Sequence, residues 1–273
     1  MDGRRGGVAM GEARGTETRP RTAEPPPRGV GIRIVGLAKA FGEVQVLRDL
    51  SLEVRPGETF VIIGASGCGK TVLLKHLLGL LRPDAGQILI DGVPVASPGE
   101  PKRYRMGMVF QSAALFSSLT VGENVGLWLK EHRVADDGAI ERIVTEKLAL
   151  VGLADKKHLM PSELSGGMRK RVAIARALAI DPDLILYDEP TAELDPVMTD
   201  HIAEAIVDLK RRFRITSVVV THDLNMGCYV ADRMGMFHEG RLVEVGTPEE
   251  IRRSSNPLVR AFITTQTKGM GGA

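Results

Sequence analysis

The stretch that most constrains this chain is Gly64-Ala65-Ser66-Gly67-Cys68-Gly69-Lys70-Thr71. It fits G-x-x-x-x-G-K-[ST], follows the apolar run Phe60-Val61-Ile62-Ile63, and opens a helical stretch expected over Val72 to Leu81. A strand, a glycine-rich turn and a helix in that order aim backbone N–H groups and the positive end of a helix at one spot. That spot suits phosphate oxygens. In such a cradle, running from Gly64 to Val72, Lys70 reaches the β- and γ-phosphates of a nucleotide and the Thr71 hydroxyl holds Mg²⁺. Cys68 takes a position for a small residue and serves as a backbone donor, with no redox role.

A second glycine cluster, Leu164-Ser165-Gly166-Gly167-Met168, comes before Leu184-Ile185-Leu186-Tyr187-Asp188-Glu189, an apolar strand closing in two acids. His222 closes another apolar run, Val218-Val219-Val220-Thr221, and Gln111 closes Met108-Val109-Phe110. That order resembles the ATP-binding-cassette (ABC) ATPases: Walker A, a glutamine loop at Gln111, the LSGG signature, Walker B, a D-loop at Leu194-Asp195, and a switch histidine. The resemblance spans about residues 30 to 251. It implies an α/β fold of the P-loop NTPase class, an ABC nucleotide-binding domain with a small antiparallel β subdomain and a helical insertion at about 112–167. It also implies hydrolysis of ATP to ADP and phosphate with Mg²⁺.

Each motif residue then takes a role. Asp188, at the end of a buried strand, holds the Mg²⁺ shell, while Glu189 points elsewhere and contacts the attacking water as general base or water-orienting group. Two adjacent acids make a dense negative site, which Mg²⁺ and Lys70 offset. Taken alone, Gln111 is an ordinary loop residue and His222 an ordinary strand-end histidine. The resemblance gives Gln111 a place beside Mg²⁺ and water, and His222 a contact with the γ-phosphate and Glu189. Phe41 lies where the family places an aromatic that stacks on adenine; a core position is its other reading. Ser165, Gly166 and Gly167 precede a helix, so their N–H groups suit a second phosphate. In the family that phosphate belongs to ATP on the opposite subunit, so two chains sandwich two nucleotides head to tail; spacing alone equally allows a loop acting in cis.

Bulk properties set outer bounds. At 273 residues, 43% hydrophobic, the chain has material for one large domain or two small ones. A net charge of +2 carries no basic field of the size nucleic acid requires. Two cysteines give no disulfide framework and suit a reducing cytoplasm. No apolar run approaches the roughly 20 residues that span a bilayer, and no signal-peptide region opens the chain. Within these bounds, the resemblance implies a peripheral location on the cytoplasmic face of the inner membrane, with a separate permease doing the spanning. Residues 1–29, basic and rich in proline, are expected to be disordered; 30–251 form the ATPase domain and 252–273 a C-terminal tail.

Between the motifs, Ile32 to Val35 and Val44 to Val54 alternate as strands, and Arg82-Pro83-Asp84-Ala85-Gly86 is expected to stop the first helix. Val121 to about Gly152 has a helical pattern, Met168 to Ile180 a second, and Asp195-Pro196 opens a third with Ile202, Ile206 and Leu209 inward. Glu239-Gly240 marks a hairpin, and Thr247-Pro248-Glu249-Glu250 a capping box.

Within the family, Phe110 to Phe116, Val121-Gly122-Glu123-Asn124-Val125, Leu129-Lys130-Glu131-His132 and Met168 in the signature look like the Mla/Mce-associated (toluene-tolerance type) lipid-transport ATPases. That implies transport of phospholipid or another hydrophobic molecule, with a periplasmic Mce-domain protein and a STAS-domain protein as further partners. Leu115 and Phe116 fall where the family grips the permease, and core packing is the other reading of Phe116. Glu193 departs from the branch, which commonly has glycine there. The alternatives are an ABC ATPase for a different substrate, or a non-transport one acting on nucleic acid or ribosomes.

Overall fold

The computed structural model describes residues 28–95 and 104–268. The expected disordered segment lies outside them up to residue 27; Arg28, by contrast, pairs with Asp181 at 2.7 Å and the Gly29 N–H donates to the Arg214 carbonyl.

Buried apolar runs form the centre. Strands β3 (Thr59–Ile63), β7 (Leu184–Asp188) and β8 (Thr216–Thr221) are buried along their whole length, as parallel strands covered on both faces must be. They belong to a six-stranded sheet of order β10-β9-β3-β8-β7-β6, in which β6 is Met106–Val109, β9 Arg233–His238 and β10 Arg241–Gly246. Every pairing is parallel except the terminal β9–β10 hairpin. That hairpin turns through Glu239 and Gly240, both at positive φ, as the sequence indicated.

Alternation along these strands divides the interior in two. Phe60, Ile62, Leu184, Leu186, Val218 and Val220 face one core, shared with helix α1 (Lys70–Leu77) and a four-stranded antiparallel sheet. That sheet has the order β2-β1-β4-β5, with β1 Ile32–Phe41, β2 Val44–Val54, β4 Ala85–Ile90 and β5 Val93–Pro94. Val61, Ile63, Ile185, Tyr187 and Val219 face the other core. It is built with α2 (Val121–Glu131), α3 (Asp137–Leu150), α4 (Gly166–Ala179), α5 (Pro196–Phe213) and α6 (Leu224–Val230). Two C-terminal helices, α7 (Pro248–Arg252) and α8 (Pro257–Lys268), complete the chain, and buried Val259 fixes α8 to this second core. Much of the stretch expected as a tail is thus a docked helix.

Three boundaries differ from the sequence reading. Helix α1 ends at Leu77 because Gly79 takes a left-handed conformation, so the chain turns well before Pro83. The helical stretch from Val121 breaks at Arg133, which has φ +50, and restarts where the Asp136 carboxylate accepts the Ala139 N–H. Strand β1 continues past Val35 to Phe41, with irregular pairing after Ile34 around Gly36 at φ +60.

Candidate active site

Parallel register brings the carboxyl ends of three strands to one edge: Ile63 pairs with Thr221, and Asp188 with Val220. The glycine loop leaves β3 there, Glu189 follows β7, His222 follows β8 and Gln111 lies just beyond β6. Open α/β sheets bind ligands at this edge.

The loop is tight for steric reasons. A Cβ on Gly64 would lie 2.4 Å from the Phe237 carbonyl oxygen, and Gly69, at φ +111, caps α1 in a conformation side chains rarely adopt. No acidic residue belongs to the first turn of α1 itself; the acids that approach its positive end come from the end of β7. Lys70 is buried, and its ammonium donates to the carbonyls of Gly64 at 2.7 Å and Ala65 at 3.0 Å. It also faces Glu189 Oε1 at 3.4 Å.

Glu189 is held from the other side by His222, whose backbone N–H and Nδ1 lie 3.1 and 2.9 Å from Oε2. Its φ of +45 places its backbone in left-handed space, and its own N–H donates to the Val220 carbonyl at 2.9 Å. Thr71 Oγ1 lies 3.2 Å from both carboxylate oxygens of Asp188. Burial pushes the Asp188 pKa above the usual carboxylate range; the Thr71 hydroxyl opposes that shift and the neighbouring Glu189 charge adds to it.

A cavity of about 380 Å³ collects Ser66, Gly67, Gly69, Lys70, Thr71, Val72, Gln111, Glu189 and His222, with Val46 from β2 closing one wall. A second cavity of about 370 Å³ continues from it past Ala65 and Cys68 to Arg48, His238 and Glu239. Burial also pushes the Cys68 thiol up, so it stays protonated near neutral pH. Val46 and Arg48 had no sequence signal, since only the folding of β2 across the glycine loop brings them here.

Phe41 and the signature residues stand apart from these cavities. Phe41 is half-exposed at the end of β1, with the Lys39 ammonium 5.6 Å from its ring centre, and lines neither cavity. Ser165 caps α4, its hydroxyl accepting the Met168 N–H at 3.2 Å, and Ser165, Gly166 and Gly167 are likewise absent from both linings. Glu193 has φ +66, which is why glycine suits that position.

The Thr71 hydroxyl and the Asp188 carboxylate offer hard oxygen donors at one spot. Among the described residues no group of three His, Cys, Asp or Glu side chains forms a metal cage. That donor set fits Mg²⁺ carried in on phosphates, which takes one or two carboxylates from the protein.

A phosphate loop, paired acids at a strand end and a histidine on the second acid define a P-loop nucleotide hydrolase. The family model described as "ABC transporter" matches residues 47–192. The chain is 42% identical over 247 residues to the probable ribonucleotide transport ATP-binding protein mkl of Mycobacterium leprae, covering 89% of this chain and 71% of that one. It is 38% identical over 242 residues to the intermembrane phospholipid transport system ATP-binding protein MlaF of Haemophilus influenzae, covering 87% and 92%. Its fold overlays the dimeric post-hydrolysis structure of the ATP-binding cassette MJ0796 bound to ADP and Pi, with a TM-score of 0.71, 30% identity, and coverage of 80% and 98%. The chain belongs to the ABC transporter family and is its ATP-binding, ATP-hydrolysing component. Cassettes of this kind dimerise and pair with a transmembrane permease; among the described residues here, no helix is long and apolar enough to cross a membrane.

Proposed function

We propose that this ATPase drives transport of phospholipids or other hydrophobic molecules, working as a head-to-tail dimer beneath a permease. The observation that carries the chemistry is the Glu189 carboxylate, fixed between Lys70 and His222 at the wall of the glycine-loop cavity. Held there, Glu189 orients the attacking water and takes its proton. Lys70 moves from the loop carbonyls to the β- and γ-phosphates, and the amides of Ala65 to Thr71 cradle them. Thr71, Asp188 and Gln111 would hold Mg²⁺, which supplies charge neutralisation between the phosphates. His222 keeps Glu189 in place and reaches the γ-phosphate. Ser165, Gly166 and Gly167, which line neither of these cavities, meet the phosphate on the other subunit. Phe41 flanks the adenine from the end of β1.

For the cargo, the support is the match to MlaF, which covers 92% of that protein, and the signature Met168. A phospholipid system of this kind places the chain peripherally on the cytoplasmic face of the inner membrane, with a STAS-domain protein and a periplasmic Mce-domain protein as further partners. Nucleic acid is not among its partners. The likeness to mkl, a probable ribonucleotide transport ATP-binding protein, favours a second reading, ribonucleotide transport. The cassette, purified with its permease into lipid nanodiscs, discriminates between them. Phospholipid cargo raises ATP turnover if the first reading is right, whereas stimulation by ribonucleotides alone would replace it with the second.

A further inference from the structure

Helix α4 begins at the signature and carries a cation that the chemistry above does not use. Lys170 is buried, with only 5% of its surface exposed, in the second turn of that helix. Burial lowers its pKa, and the positive helix end nearby also disfavours a cation. What keeps an ammonium there is its surroundings. It donates to the Gln111 carbonyl and lies 3.4 Å from the Glu189 carbonyl, and the carboxylates of Glu193, Glu189 and Asp188 act on it favourably. One ammonium therefore joins the backbones of the two residues that face the reacting end of the cavity. Two turns along α4, Arg176 donates to the Ala113 and Ala114 carbonyls at 2.8 and 2.6 Å, so the same helix also fixes the far side of the glutamine loop. Ala113 and Ala114 both have positive φ, which leaves their carbonyls turned toward α4.

We propose that Lys170 is a positioning residue: it locks Gln111 and Glu189 to the signature helix, so that the helix end meeting one nucleotide sets the geometry around the other. The second half of this statement rests on the composite-site reading above; the first half does not. A methionine at 170 fills the same volume without the hydrogen bonds, and an arginine restores donors to both carbonyls.

The test compares Lys170→Met and Lys170→Arg in the full chain, reading Mg-ATP affinity, kcat, the Hill coefficient for ATP and the melting temperature. Lys170→Met is expected to bind ATP within about twofold of the parent while kcat falls roughly ten- to hundredfold, the cost of sub-ångström misplacement of reacting groups. Its Hill coefficient falls toward one, and Lys170→Arg regains most of the rate. A Lys170→Met protein with parental kcat overturns the proposal. So does a joint fall in melting temperature, affinity and rate that arginine fails to rescue, since that marks packing alone. If Ser165→Arg leaves cooperative turnover intact, the composite-site reading fails, while the kcat result for Lys170→Met still decides the positioning role.

Discussion

Glu189 has both carboxylate oxygens engaged, one toward Lys70 and one toward His222, so its removal deprives neighbours as well as the reaction. Glu189→Gln keeps the shape and is expected to bind ATP while losing at least about a hundredfold in turnover, the usual scale for a lost general base; phosphate release assays beside binding titrations check it. Lys70→Ala removes the charge that meets the phosphates, and calorimetry should record a large fall in nucleotide affinity. Asp188 gives a pH test. Its pKa is raised by burial, so the nucleotide-free protein is least penalised at low pH and loses stability as pH rises through that raised value. Asp188→Asn should therefore melt a few degrees higher than the parent near neutral pH. The gain should vanish below about pH 4, and hydrolysis should be lost. The two acids were legible because an apolar run ended in them. Lys170 was not, because its partners are backbone carbonyls distant in sequence that have no side-chain signature.

Beyond the carbonyls that Lys170 and Arg176 hold, one side chain of α2 ties down the rest of the glutamine loop. Asn124, fully buried, accepts the Phe116 N–H at 2.8 Å and donates to the carbonyls of Phe116, Leu119 and Thr120. Replacing it with alanine strands those groups, and we expect Asn124→Ala to cost about 1–3 kcal/mol, measurable by denaturant melts. Phe116 itself is 53% exposed while Leu115 packs against the core, which removes the core reading of Phe116. Phe116→Ala should thus avoid the roughly 3–5 kcal/mol penalty of a buried phenylalanine. Its expected effect is weaker co-purification with the permease; a large drop in melting temperature would count against that. Periodicity and caps made most elements readable, including the Thr247 capping box and the Asp195 cap of α5. The helix boundaries that slipped did so at Gly79 and Arg133, where left-handed backbone ends a helix without a proline to announce it.

At the level of the assembled molecule, no signature residue lines the glycine-loop cavity. Ser165→Arg should leave ATP binding to single chains intact and block ATP-driven dimerisation, seen by size-exclusion chromatography with light scattering. Mixed with Lys70→Ala, it should regain one working interface and measurable turnover; mixtures that form mixed dimers yet never exceed either variant alone would refute the sandwich. The α/β class and the placing of motif residues at strand ends were legible from apolar runs and glycine spacing; the six-stranded order was not. The wall contributed by Val46 and Arg48 was not, since it arises from one sheet folding over another. The left-handed backbone at Glu189 and Glu193 bears on laboratory evolution. Such a conformation costs a side chain about 1–2 kcal/mol, so glycine at either position relaxes the chain, but at Glu189 it also removes the acid. A library sorted on expression yield or heat tolerance would fill with silent cassettes, and selection for this protein has to count liberated phosphate in every round.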